Sequence, residues 1–167
     1  MLTQMFTRIP VLLKSVSKRK LDATEQLQMD HMKVELLFGQ VKLVRDSKLR
    51  GKIIQKIVFE LETHARIEEE IFYPACEKIA ELKAIINESY EEHKQIKNLL
   101  NDLSRSSMSS DKIEAKLTVL IEDVMHHVRA EENELFPKVR KAMSQNKLDK
   151  LGGQLRTAKL EENRKAA

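Results

Sequence analysis

Cysteine, glycine, proline and aromatic residues are all scarce in this chain, and each shortage closes off a class of protein. Cys76 is the single cysteine, so an intramolecular disulfide is impossible, as is a thiolate-rich zinc or iron–sulfur site. A lone thiol also fits a reducing compartment, and a cytoplasmic location is expected. Four Gly and three Pro in 167 residues, beside 41% hydrophobic and 34% charged residues, favour a soluble, helix-rich protein of one domain. Trp is absent and aromatics make up 4%, so the core must come from Leu, Ile, Val and Met. Cys76 reads as a small buried side chain and the methionines as core filling rather than copper ligands.

A one-sided charge distribution is missing as well. The net charge is +4 and the pI about 9.1, but Lys and Arg alternate with Glu and Asp along most of the chain. That is the pattern of solvated helix faces, and no nucleic-acid partner is expected. Only the first segment is biased: no acid precedes Asp22, whereas Arg8, Lys14, Lys18, Arg19 and Lys20 do. Together with Leu2, Met5, Phe6, Ile9, Val11, Leu12 and Leu13 it mildly resembles an organelle transit peptide, although a packing arm is the favoured reading. Its apolar run is too short and interrupted for a membrane span.

What is present is helical periodicity with polar residues set inside it. Asp22 and Glu25 form a capping box that opens a first helix with the inner stripe Leu27, His31, Val34, Phe38, Val41. Gly51 lies near the next turn. A second stripe runs Ile54, Ile57, Leu61, His64, Glu68, Ile71 and ends near Pro74. The third is Ile86, His93, Ile96, Leu100, Leu103, stopping at the polar stretch 104–110. Asp111 and Glu114 make a second capping box before Leu117, Leu120, Val124, His127, Glu131, Leu135. Val139 and Met143 extend that last helix, and Gly152-Gly153 is expected to break the pattern before a short tail. Four amphipathic helices with short loops predict an all-α, up-down-up-down four-helix bundle over 22–143. An arm over 1–21 and a tail with a short helix over 144–167 flank it.

The two halves repeat one another. Asp30-His31 recurs as Glu92-His93, and Val34, Leu37 and Phe38 as Ile96, Leu99 and Leu100. His64, Arg66 and Glu68-Glu69 recur as His127, Arg129 and Glu131-Glu132, and Tyr73-Pro74 as Phe136-Pro137. Each half supplies one His and then one His-x-x-x-Glu, so a pseudo-twofold bundle would gather both sets at its centre.

Residues four apart share a helix face, about 6 Å apart along the axis. His64 with Glu68, and His127 with Glu131, can therefore point at one site. A carboxylate has two oxygens and can join two cations, whereas an imidazole ends a coordination sphere with one nitrogen. Two carboxylates and four imidazoles thus describe a dinuclear metal site of His31, His64, Glu68, His93, His127 and Glu131, with Glu68 and Glu131 bridging. Unpaired carboxylates in an apolar stripe would each cost several kcal/mol, a penalty divalent cations would offset. The mixed donor set suits non-haem iron, and manganese or zinc would also accept it. No His-Glu-x-x-His occurs, which disfavours a zinc protease, and the Glu-x-x-His of ferritin-like sites is absent.

Four neighbouring residues have less certain roles. His126 lies about 100° around the helix from His127 and its counterpart is Thr63, so an exposed or supporting role is expected. Glu35, four after His31, reads either as an extra ligand or imidazole acceptor or as an ordinary surface ion-pair partner. Tyr73 and Phe136 are expected to pack near the end of the core, with redox participation by Tyr73 as the lesser alternative.

These residues resemble the hemerythrin-like, His-His-Glu cation-binding family. The match covers Asp22 to Arg140, through Asp30-His31, His64-x-x-x-Glu68-Glu69, Phe72-Tyr73-Pro74, Glu92-His93, His127-x-x-x-Glu131-Glu132 and Phe136-Pro137. The resemblance implies two non-haem irons and a small ligand: dioxygen, hydrogen peroxide or nitric oxide. Oxygen carriers of the family have a further third-helix histidine, where this chain has Ser89 and Lys97, and end in His-x-x-x-x-Asp. Both departures point toward the oxidase, catalase-like or sensing members. The expected function is binding or reduction of a small oxidant, with an oxygen- or iron-responsive binding module as the alternative.

Overall fold

The computed structural model describes residues 20–104 and 109–166; the N-terminal arm expected over 1–21 lies almost entirely outside them. Five helices of 21 residues dominate: α1 Ala23–Leu43, α2 Ser47–Ile67, α3 Lys83–Leu103, α4 Ser110–Ala130 and α5 Gln145–Lys165. The all-α helical bundle is as expected. Among the described residues no helix is long and apolar enough to cross a membrane.

The Asp22–Glu25 capping box forms as read. Glu25 N–H donates to Asp22 Oδ1 and Asp22 N–H to Glu25 Oε2, both at 3.0 Å. The second box, at Asp111 and Glu114, does not form. Ser109 takes the cap position of α4, which places Asp111 inside the first turn, where its charge suits the helix dipole. Glu114 instead pairs with Arg50 of α2. Gly51 also lies inside a helix, because the α1–α2 turn is closed by Asp46, whose side chain accepts from Leu49 N–H at 2.7 Å.

Neither helix carrying His-x-x-x-Glu stops at its proline. Each widens into a π-helical turn, Glu68–Phe72 and Glu131–Leu135, before a short α-helix, Tyr73–Cys76 and Phe136–Ala142. Tyr73 N–H reaches back five residues to Glu68 O, and Phe136 N–H to Glu131 O. Pro74 and Pro137 follow immediately; they lack an N–H and their rings crowd the carbonyl four residues back. A wider turn relieves that crowding, and π-turns of this kind concentrate at functional sites.

The largest departure is α5. It runs straight through Gly152-Gly153, where a break was expected. A Cβ on Gly152 would lie 2.6 Å from Gln26 Nε2 and 2.8 Å from Leu21 O, whereas Gly153 meets nothing within 4 Å. Gly152 therefore serves close packing of α5 on the start of α1, not chain reversal. Gln26 donates to Gly152 O and Leu21 O, and Arg156 to Leu21 O. Leu148, Leu151 and Leu155 add a buried stripe, enough apolar area to offset the helix cost of two glycines.

Two apolar cores result. One gathers Leu27, Ile67, Phe72, Tyr73, Leu135, Phe136 and the α5 leucines. The other gathers Val34, Phe38, Val41, Ile57, Leu61, Ile96, Leu100, Leu120 and Val124. Along α1 to α4, His31, His64, His93 and His127 lie where the two cores meet and are themselves buried.

Candidate metal centre

Two sets of metal-capable side chains come together there. In each, one ligand atom per residue lies within 4.8 Å of the others: His31, His64, Glu68 and Glu131, and Glu68, His93 and His127. All six are buried, and both carboxylates are wholly so. The structure thus gathers every residue singled out from the sequence as a ligand, one from each of four helices plus one glutamate from each π-turn.

The imidazoles are paired across helices. His31 Nε2 lies 3.1 Å from His64 Nε2, and His93 Nε2 lies 3.0 Å from His127 Nε2. The carboxylates span the pairs: Glu68 Oε2 is 3.2 Å from His64 Nε2 and 3.3 Å from His93 Nε2. Glu131 Oε2 is 3.2 Å from His31 Nε2 and 3.6 Å from His127 Nε2.

Behind each ring stands a carboxylate. Nδ1 of His31 meets Glu132 at 2.8 Å, that of His93 meets Glu69 at 2.9 Å, and that of His127 meets Glu92 at 2.7 Å. His64 Nδ1 faces Asp30 at 3.6 Å. With Nδ1–H directed at a carboxylate, the neutral tautomer presents the Nε2 lone pair inward. Four lone pairs and two carboxylates then converge with few donors between them. Glu68 Oε1 and Glu131 Oε2 are buried without a hydrogen-bond partner, a costly arrangement unless a cation is bound. The donor set fits divalent metal ions.

Protons otherwise supply that positive charge. Burial would lower the His31 pKa, but contact with Glu131 and Glu132 raises it to about 10. For His93, Glu68 and Glu69 likewise overcome burial and raise it to about 9. Glu131 is buried, yet His127, His31 and His64 hold its carboxyl below the ordinary range. Glu69 is held at about 2, chiefly by His93 and then by Lys97, whose Nζ lies 2.7 and 2.6 Å from its two oxygens.

Tyr73 is closer to this chemistry than its sequence position suggested. Its hydroxyl donates to Glu131 Oε1 at 2.9 Å and lies 3.3 Å from His93 Nε2 and 3.4 Å from Glu68 Oε2. Burial and both carboxylates push its phenol pKa well up, so it stays a proton donor. Its counterpart Phe136 stacks on His31, with ring centroids 5.8 Å apart and planes 7° from parallel. Both aromatics therefore border the site as well as packing in the core.

Asp30, Glu69, Glu92 and Glu132 were missed as ring-holding groups. The signal was in the repeat, which keeps an acid before each first histidine and a second acid after each glutamate. His126 is 67% exposed and touches only the rim of this shell, 3.4 Å from Glu92 Oε1. Glu35 is half-buried beside Met32, Lys33 and Leu36 and joins neither metal-capable set. Cys76 is buried, which pushes its thiol pKa up to about 12.

The hemerythrin HHE cation-binding domain matches residues 22–139. The chain belongs to that family. The crystal structure of a hemerythrin HHE cation-binding domain-containing protein from Mycobacterium kansasii shares its fold, with a TM-score of 0.75 and 23% identity over 87% of this chain and 90% of that one. A curated relative, the "DNA nickase" of Nostoc sp. (strain PCC 7120 / SAG 25.82 / UTEX 2576), is 28% identical over 142 residues, 85% of this chain. The HHE chain spans 40% of that relative's length.

Proposed function

We propose that this HHE protein is a non-haem di-iron protein that binds or reduces a small oxidant: dioxygen, hydrogen peroxide or nitric oxide. One metal ion would be held by His31 and His64 and the other by His93 and His127, with Glu68 and Glu131 joining them. The observation that carries the choice of ligand is a cavity of about 20 Å³ against the four imidazoles, walled by Val34, Leu61, Ala65, Ile96, Val124 and Val128. A space this small admits only a very small guest, and its apolar wall favours a neutral molecule over an ion.

When bound, the iron pair would supply electrons and Lewis acidity. The chain does the rest. The carboxylates behind the rings fix which nitrogen points inward, the aliphatic wall excludes bulk water, and Tyr73 holds a proton 2.9 Å from Glu131 Oε1. No other described side chain at the site is set up as a nucleophile, so turnover would belong to the metals. The test is consumption of hydrogen peroxide or nitric oxide by the iron-loaded protein, expected to exceed that of free iron. Equal rates would overturn turnover.

A second reading, a metal- or oxygen-responsive binding module, draws on the spread of the ligands over four helices, which makes metal binding a contribution to folding. Unchanged thermal stability after iron removal would exclude it.

A further inference from the structure

The four ring–carboxylate contacts are unequal. Three lie at 2.7–2.9 Å, but the fourth, His64 Nδ1 to Asp30 Oδ2, is 3.6 Å and leaves His64 Nδ1 without a hydrogen bond. Asp30 is not short of attraction. Its other oxygen, Oδ1, is bound by Lys159 Nζ from α5, a helix beyond the segment that the family match covers. Near Lys159, Glu162 pairs with Arg66 of α2 at 2.5 Å, so α5 is anchored twice beside His64.

We propose that Lys159 is a positioning residue for the metal centre, holding Asp30 away from His64 so that this imidazole alone lacks a tight carboxylate behind it. A carboxylate close to Nδ1–H draws the proton toward itself and makes Nε2 a stronger donor; one committed to an ammonium does so less. His64 is therefore the weakest donor of the four, and α5 sets its strength. Building on the two-metal reading above, the ion held by His31 and His64 is the more electron-poor of the pair.

The test compares full-length Lys159→Met, Lys159→Arg and Glu162→Gln with the wild type. Imidazole ¹⁵N spectra of the chelator-treated chain report on Nδ1 without metal. Lys159→Met is expected to move His64 Nδ1 toward stronger hydrogen bonding, leaving His31, His93 and His127 in place. Lys159→Arg should restore the wild-type shift, and Glu162→Gln, which removes the other anchor, should leave it unchanged. Equal shifts in Lys159→Met and Glu162→Gln, or none at His64, would overturn the proposal. In ⁵⁷Fe-loaded protein one of two Mössbauer components should move in Lys159→Met; movement of both, or of neither, counts against it. Iron content is measured on the same samples. A wild-type chain that takes up no iron overturns the two-metal reading, while the ¹⁵N shifts still decide the role of Lys159.

Discussion

Tyr73 and Phe136 occupy the same place in the two halves of the repeat, and one hydroxyl separates them. In the first half it donates to Glu131 Oε1; in the second the ring has no polar atom and stacks on His31. The carboxylates behind the rings differ in the same way. Glu92 holds His127 at 2.7 Å, while Asp30 stands off His64 and turns to α5. The duplicated part is what two cations would need: four imidazoles, two carboxylates and two π-turns. The unduplicated part gives the halves different proton and charge environments. A symmetric ligand set can thus sit in an asymmetric shell.

The strongest way to break the comparison is to remove a group both halves share. Glu131→Ala takes away a carboxylate that spans the two imidazole pairs, and metal analysis should show at least one of two ions lost per chain. Glu92→Ala removes the support behind His127 and leaves the six candidate ligands in place; metal affinity should fall about 10–100-fold, as read by competition with a chelator.

Next is pH, where the halves should act alike. His31 and His93 have pKa values raised to about 10 and 9, above an unfolded value near 6.5. Their protonation stabilises the metal-free fold fully below pH 6.5, and that contribution is lost as pH rises through 9 to 10. Thermal melts of chelated protein should therefore drop over that window. Metal-loaded protein, whose rings hold cations instead of protons, should not follow.

Tyr73→Phe makes the first half like the second. A charge-assisted hydrogen bond to a buried carboxylate contributes about 1.5–3 kcal/mol, and denaturant melts of the chelated protein should show a loss of that order. Smallest are the glycines of α5, which has no counterpart in the repeat. Gly153→Ala should add about 0.5–1 kcal/mol through helix propensity, and Gly152→Ala should destabilise because its Cβ would meet Leu21 O and Gln26.

The clustering of the six candidate residues was legible in the sequence because helix geometry puts i and i+4 on one face, and because polar groups inside an apolar stripe stand out twice over. The bundle was legible for the same reason. The supporting acids were harder to see: Glu132 reaches His31 and Glu69 reaches His93 across helix boundaries that no spacing rule spans. Tyr73 was placed with the core because its approach depends on a π-turn, which Pro74 induces but helical periodicity does not show. Gly152-Gly153 reads as a breaker on propensity alone, and only the close approach of α1 explains why the helix continues. The start of α4 was misjudged by two residues because Ser109 takes the cap position without a side-chain capping bond, so no capping-box pattern marks it.

The central claim is that these six side chains bind two metal ions, and metal stoichiometry tests it most directly. Purified chain supplied with iron should carry two ions, with nitrogen and oxygen neighbours by X-ray absorption, and His64→Ala combined with His127→Ala should lose both. A wild-type chain without stoichiometric metal, or a double variant that keeps its full complement, would contradict it.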